Sequence, residues 1–240
     1  MIDSENVAST CMDSTESLRT SLHAFHKAKR DNTDLMMWKS DIEATYHNLW
    51  LSKEWQAKQT VTIGDKHYVN HCFGNCSSYK VFLLLSSLIV WIAEYVKQIP
   101  HLKVYVDDNA SFALAGNVLY YKPYHCYFPT NQTKLLLLWD ELNIPHAKKK
   151  QIYGPIIHFV GLDIDPNKRV ISISDKCCSN LIVKVFAFAK LGKHYPLWEF
   201  KSLADHLNWS FMFSHFSNPL FLPSIKNIWQ TTLSCPHLHQ

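Results

Sequence analysis

The stretch Leu102-Lys103-Val104-Tyr105-Val106-Asp107-Asp108-Asn109 decides how this chain folds. Leu102, Val104 and Val106 alternate on one face, which is the period of a β-strand. Asp107-Asp108-Asn109 is turn chemistry, and Ser111 to Leu114 can return as a second strand. The expected product is a hairpin with carboxylates at its tip. A bare Asp-Asp is most simply a solvated turn. The tetrapeptide Tyr105-Val106-Asp107-Asp108 is more specific: at this chain's own residue frequencies it occurs by chance in on the order of one chain in several hundred.

A third carboxylate belongs with these two. Asp41 lies near the end of Lys39-Ser40-Asp41-Ile42, a predicted short strand, 66 positions before Asp107. Neighbouring carboxylates repel, so a buried set wants a cation among them. Phosphoryl transfer by the two-metal route needs such a set, holding two divalent ions about 3.5–4 Å apart. Mg²⁺ suits it, being held by few carboxylates and completing its shell with water and substrate phosphates.

Around these residues the order of predicted elements is consistent. A helix is expected near Ser17–Lys29, and Tyr46, Leu49 and Trp50 form a helical stripe. Gln59–Ile63 and His67–Phe73 flank Gly64-Asp65-Lys66 as a hairpin. Ser78–Gln98 lacks Gly and Pro and is expected to be a largely buried helix. Asn117–Phe128 is aromatic and irregular and reads as a loop. Gln132–Leu142 reads as an amphipathic helix, followed by the cluster Lys148-Lys149-Lys150. Val160, Leu162 and Ile164, then Asp165-Pro166-Asn167-Lys168, then Ile171 and Ile173 make a further hairpin. Helices follow at Leu181–Leu191 and Leu197–Trp209. The expected fold is α+β: a small antiparallel sheet backed by helices, followed by a helical segment.

Composition excludes several classes. The chain has 240 residues, 47% hydrophobic and 18% charged, enough for a core and unlike a disordered protein. Its 6 glycines argue against a repeated Gly-rich phosphate loop, and its seven cysteines show no even disulfide framework. A net charge of +4 permits a nucleic-acid partner without requiring one. The polar, acidic N-terminus is no secretory signal. Val81–Ala93, the most apolar uncharged run, is shorter than the ~20 residues of a membrane span. An intracellular setting, cytoplasm or nucleus, with no membrane partner is therefore expected. Cys72 and Cys76, with His67 and His71 nearby, are crowded and lack the distant second pair of a zinc site.

Taken together, Asp41-Ile42-Glu43-Ala44-Thr45-Tyr46, Phe73-Gly74 and Tyr105-Val106-Asp107-Asp108 resemble motifs A, B and C of reverse transcriptases. Val160-Gly161-Leu162-Asp163 resembles motif E, and Phe200 to Trp209 resembles the thumb segment that follows the palm. The nearest resemblance is to gypsy-like and DIRS-like retroelement polymerases, often fungal, over roughly residues 38–230. It implies a poorly matched lead at 1–37, a palm at 38–175 and a helical thumb-like segment and tail at 176–240.

The resemblance implies roles. Asp41 and Asp107 are the main ligands of two Mg²⁺ ions, for which Mn²⁺ can substitute, and Asp108 is the third carboxylate. Tyr46 packs on the sugar of an incoming nucleotide and excludes a 2′-OH; alternatively it is a core aromatic at helical spacing. Phe73 and Gly74 lie under the template base and nucleotide, or form a simple strand-to-helix turn. Ser77 and Ser78 add polar contacts. Tyr105 and Val106 line the substrate side of the hairpin. Lys150 protonates the leaving pyrophosphate, or belongs to a solvated basic loop. Motif E holds the primer terminus, and Asp163 and Asp165 are structural. The implied function is RNA-directed DNA polymerisation with template–primer and dNTP as partners. Only about 40 residues precede Asp41, no fingers region is matched there, and no RNase H or integrase segment is seen. The alternative is therefore a catalytically silent remnant that at most binds nucleic acid.

Overall fold

The computed structural model describes residues 15–29, 34–49, 51–58, 60–69, 76–189 and 195–214. The chain divides into two compact units, Met1–Ile157 and His158–Gln240.

The first unit is organised by a four-stranded antiparallel sheet. Its central strands are β1 (Leu35–Ile42) and β5 (Asp108–Leu114). β4 (Lys103–Tyr105) pairs outside β5, and β8 (His146–Gly154) pairs outside β1. β1 is longer than the four residues expected, because Leu35, Met37 and Trp38 all find buried positions. Trp38 and Ile42 look toward a core shared with Phe82, Ile89, Leu136 and Trp139. These come from α3 (Cys76–Trp91) and α4 (Thr130–Glu141), which back one face of the sheet. On the other face, Phe25 of α1 (Thr15–Lys29) meets the Phe112 ring edge-on at 5.3 Å.

Four expectations need correction. The Tyr46 stripe forms only a 3₁₀ turn, Thr45–Asn48, before the short helix α2 (Lys53–Lys58); Trp50 lies outside the described residues. Residues 117–128 are not a loop but a hairpin of β6 (Val118–Tyr121) and β7 (Cys126–Pro129). The 3₁₀ turn at Lys122–Tyr124 with Pro123 inside it breaks the alternation that would have announced strands. Lys148–Lys150 are not in a loop but in edge strand β8, where Lys148 and Lys149 are exposed and Lys150 is partly buried.

The fourth correction concerns α3. It is not largely buried: Leu84, Leu88, Trp91 and Tyr95 are exposed. The sheet covers only the face carrying Phe82, Ser86, Ile89 and Ala93, and a helix apolar all round does not advertise which face is which. The helix runs on through a π-turn, Ile92–Val96, closed by Lys97 N–H donating to the Ile92 carbonyl at 3.0 Å. That continuation makes Ser78–Val96, 19 residues with mean hydropathy 1.6, long and apolar enough to cross a membrane by length and composition.

The expected hairpin at Gly64 is present as β2 (Val61–Ile63) and β3 (Lys66–Tyr68). A three-stranded sheet follows, β9 (Ile157–Phe159), which starts at the last residue of the first unit, then β10 (Leu162–Asp165) and β11 (Val170–Ile173), in the order β11-β10-β9. The Asp165 carboxylate accepts from the Asn167 and Lys168 N–H groups at 3.1 and 2.9 Å, the structural role expected of it. Helices α5 (Asp175–Phe188) and α6 (Leu197–Ser214) follow, with Leu181 buried beside Leu207. The Ser174 hydroxyl caps α5 by accepting from Cys177 N–H.

Candidate active site

Strand alternation decides which side chains meet at the end of the first sheet. Asp41 stands opposite Asp108 across β1 and β5, and Tyr105 stands opposite Asp108 across β4 and β5. Opposed residues project to one face, and so do residues two apart on a strand. Lys39, Asp41, Tyr105 and Asp108 therefore share a face, while Trp38, Ser40 and Ile42 point to the helix-backed core.

Asp107 occupies the two-residue turn between β4 and β5. The residue before it, Val106, has φ 58°, a region that β-branched side chains rarely adopt. A tight hairpin demands positive φ at this position. Three contacts hold the turn: Ser86 Oγ donates to the Val106 carbonyl at 3.4 Å, Asn109 Nδ2 to the Asp107 carbonyl at 3.0 Å, and Ile42 N–H to the same carbonyl at 3.4 Å. The strained residue thus delivers Asp107 beside the end of β1.

Each carboxylate has its own partner. Lys150 Nζ donates to Asp41 Oδ1 at 2.7 Å and to the Ile42 carbonyl at 3.3 Å. Lys39 Nζ donates to Asp108 Oδ2 at 2.9 Å, with both side chains about one-fifth exposed, 18% and 20%. Thr45 Oγ1 donates to Asp107 Oδ2 at 3.1 Å. Burial pushes the Asp108 carboxyl above the usual aspartate range. The hydrogen bond and charge of Lys39 pull it down, and the charges of Asp107 and Asp41 push it up again. Burial, and then the charge of Asp107, raises the Tyr46 phenol. The Tyr46 ring meets Phe82 edge-on at 5.9 Å, so this residue is both a core aromatic and a neighbour of the carboxylates.

The donor set suits a hard divalent cation, since it consists of carboxylate oxygens gathered from two strands and their turn. Among the described residues, however, no three His, Cys, Asp or Glu side chains converge as a metal-binding group. Two ammonium groups stand where the carboxylates call for positive charge. Phe73 and Gly74 lie outside the described residues, as do Cys72 and His71; of Ser77 only the backbone is described.

Three residues at this site went unnoticed in the sequence. Lys39 carried a usable signal, since a residue two before Asp41 in a strand must share its face. Thr45 carried none. Gln132 is fully buried on α4, and its Nε2 donates to the Lys39 carbonyl and Ser40 Oγ, both at 3.1 Å. It ties the helix layer to β1 directly beneath the carboxylates.

A second polar cluster lies in the same unit. Tyr121 donates to Asp140 Oδ2 at 2.8 Å, His146 Nε2 meets Asp140 Oδ1 at 3.2 Å, and Tyr124 donates to the His146 carbonyl at 2.9 Å. These residues border a cavity of about 660 Å³, together with Asn48, Asn143 and Pro145. Burial, then Asp140, raises the Tyr121 phenol, and burial first pushes that of Tyr124 up to about 12.

No family model matches the chain, and no curated protein matches its sequence. Among solved structures it is similar to the foamy viral protease-reverse transcriptase dRH in complex with double-stranded DNA. That match has 18% identity and a TM-score of 0.54, and covers 81% of this chain and 30% of that one. The foamy viral protease-reverse transcriptase in complex with double-stranded DNA aligns over 73% of this chain and 32% of that one, at 17% identity and a TM-score of 0.49. The chain thus spans about a third of the length of these proteins. Its fold, α+β with small antiparallel sheets and helices, is reverse-transcriptase-like.

Proposed function

We propose that residues 38–175 are the palm of an RNA-directed DNA polymerase from a gypsy-like or DIRS-like retrotransposon. It extends the 3′-OH of a primer on an RNA or DNA template, with dNTP as the second substrate. The observation that carries this is the placing of Asp41 opposite Asp108, with Asp107 in the turn between β4 and β5, at one end of a reverse-transcriptase-like sheet.

Asp41 and Asp107, supported by Asp108, are the residues that would hold Mg²⁺, or Mn²⁺ in its place. The ions would supply charge neutralisation at the transferred phosphoryl group. The chain's own residues do the rest. The turn at Val106 fixes Asp107, and Thr45 orients its carboxylate. Tyr46, packed against Phe82, offers a rigid ring edge to a nucleotide sugar. Lys150 carries a proton on Nζ for a leaving pyrophosphate, as a positioned general acid does.

Primer extension on poly-rA/oligo-dT with Mg²⁺ or Mn²⁺ tests this. Extension by the wild type and its loss in Asp107→Asn support it; equal signals, or none from a folded chain, refute it. A second reading, a silent remnant that only binds nucleic acid, is favoured by one observation: Asp41 and Asp108 are each already neutralised by a lysine. Template–primer binding that weakens steeply with salt, in a chain without extension, selects that reading.

A further inference from the structure

We propose that Lys39 and Lys150 are resident counter-cations of this site: they hold its carboxylates together without metal and compete with a divalent ion for them. The proposal rests on the reading of the carboxylates as a metal site and goes beyond it, because it makes metal affinity a property of the lysines.

Two like charges facing each other across a sheet repel, and repulsion grows as water is excluded. The fold nevertheless places Asp41 and Asp108 directly opposite each other. Lys150 reaches Asp41 from β8 at 2.7 Å, and Lys39 reaches Asp108 from β1 at 2.9 Å. The two lysines differ in how freely they can leave. Lys39 comes from the middle of the central strand, its side chain is 18% exposed, and its backbone carbonyl is tied to Gln132. Lys150 lies on the edge strand with its side chain 30% exposed, so it can swing into water when an ion arrives. Lys150 is thus the displaceable counter-cation and Lys39 the fixed one. A divalent ion reaching Asp41 must displace the Lys150 ammonium, which is then free to meet the phosphates of a nucleotide.

The test is Mn²⁺ binding to the purified full chain at low ionic strength, read from the electron paramagnetic resonance signal of free Mn²⁺. Lys150→Met is expected to bind Mn²⁺ about tenfold more tightly than the wild type, since a competing unit charge at contact distance is gone. Lys150→Arg should bind like the wild type, and Asp41→Asn in the Lys150→Met background should erase the gain. A merely structural lysine would not tighten metal binding when removed. Equal affinity in wild type and Lys150→Met overturns the proposal and leaves the metal site standing, and so does weaker binding in Lys150→Met. No binding in any variant overturns both. Lys39→Met adds an independent measure: its melting temperature should rise more on adding Mn²⁺ than the wild type's. If that variant does not fold, Lys150→Met alone decides.

Discussion

Two polar clusters of the first unit resolve the same difficulty, polar groups taken out of water, in opposite ways. In the Tyr121–Tyr124–Asp140–His146 cluster both Asp140 oxygens and the His146 carbonyl face a donor from within the cluster. One carboxylate serves a phenol and an imidazole. At the end of the sheet Asp41 and Asp108 stand opposite each other and are balanced by borrowed charges, Lys150 and Lys39, while Asp107 in the adjoining turn accepts from Thr45. A closed network of complementary groups stabilises a fold. A set of like charges held by groups that could serve elsewhere is suited to a ligand. Proximity to a cavity is therefore a poor guide here, since the cavity of about 660 Å³ adjoins the self-sufficient cluster.

The sharpest way to break this contrast is to remove one charge from each side. Asp107→Asn should reduce primer extension about a hundredfold or more, because the charge stabilisation it supports is worth several kcal/mol, while chemical denaturation changes little. Asp140→Ala should do the reverse. It leaves the Tyr121 hydroxyl and His146 without their acceptor and should cost about 1–3 kcal/mol of stability in a urea melt, with extension preserved. If Asp140→Ala abolishes extension in a chain that still folds, the division of labour is wrong. Tyr121→Phe, a milder cut in the same network, should cost about 1 kcal/mol.

The smallest effect concerns pH. The folded-state pKa of Asp108 is raised, by burial first. The stability it contributes is therefore fully present below the ordinary aspartate value and is lost as pH rises through the raised value. Relative to the wild type, Asp108→Asn should gain stability across that acid window. The Lys39 charge left behind is constant over the same range, so it shifts the curve without bending it. Urea melts of both proteins at successive pH values measure the difference, and a flat difference would show that Asp108 is solvated.

Legibility in the sequence followed the strength of local pattern. The Asp-tipped hairpin and the hairpin around Asp165 are legible because strand alternation and turn residues agree there. Strand β8 was not, because lysines are poor strand formers and only an edge position tolerates them. β6 and β7 were hidden by their brevity and by Pro123 between them. The exposed side of α3 was hidden because its two faces are equally apolar. Within the candidate site, Asp41, Asp107 and Asp108 were found together, whereas Gln132 was not. A single glutamine in a helix carries no sign that it will reach across to another layer.

The two edges of the first sheet have a consequence for what this fold can join. β4 is only three residues long, and β8 sets Lys148 and Lys149 in exposed positions along its length. A short edge and a charged edge are both obstacles to a further strand. Among the described residues the sheet has four strands, and both of its edges disfavour strand addition by a neighbouring copy. The residues that look like a phosphate-seeking basic tract are also the kind that guards an exposed strand edge against pairing. Replacing them by apolar strand formers would trade surface charge for self-assembly.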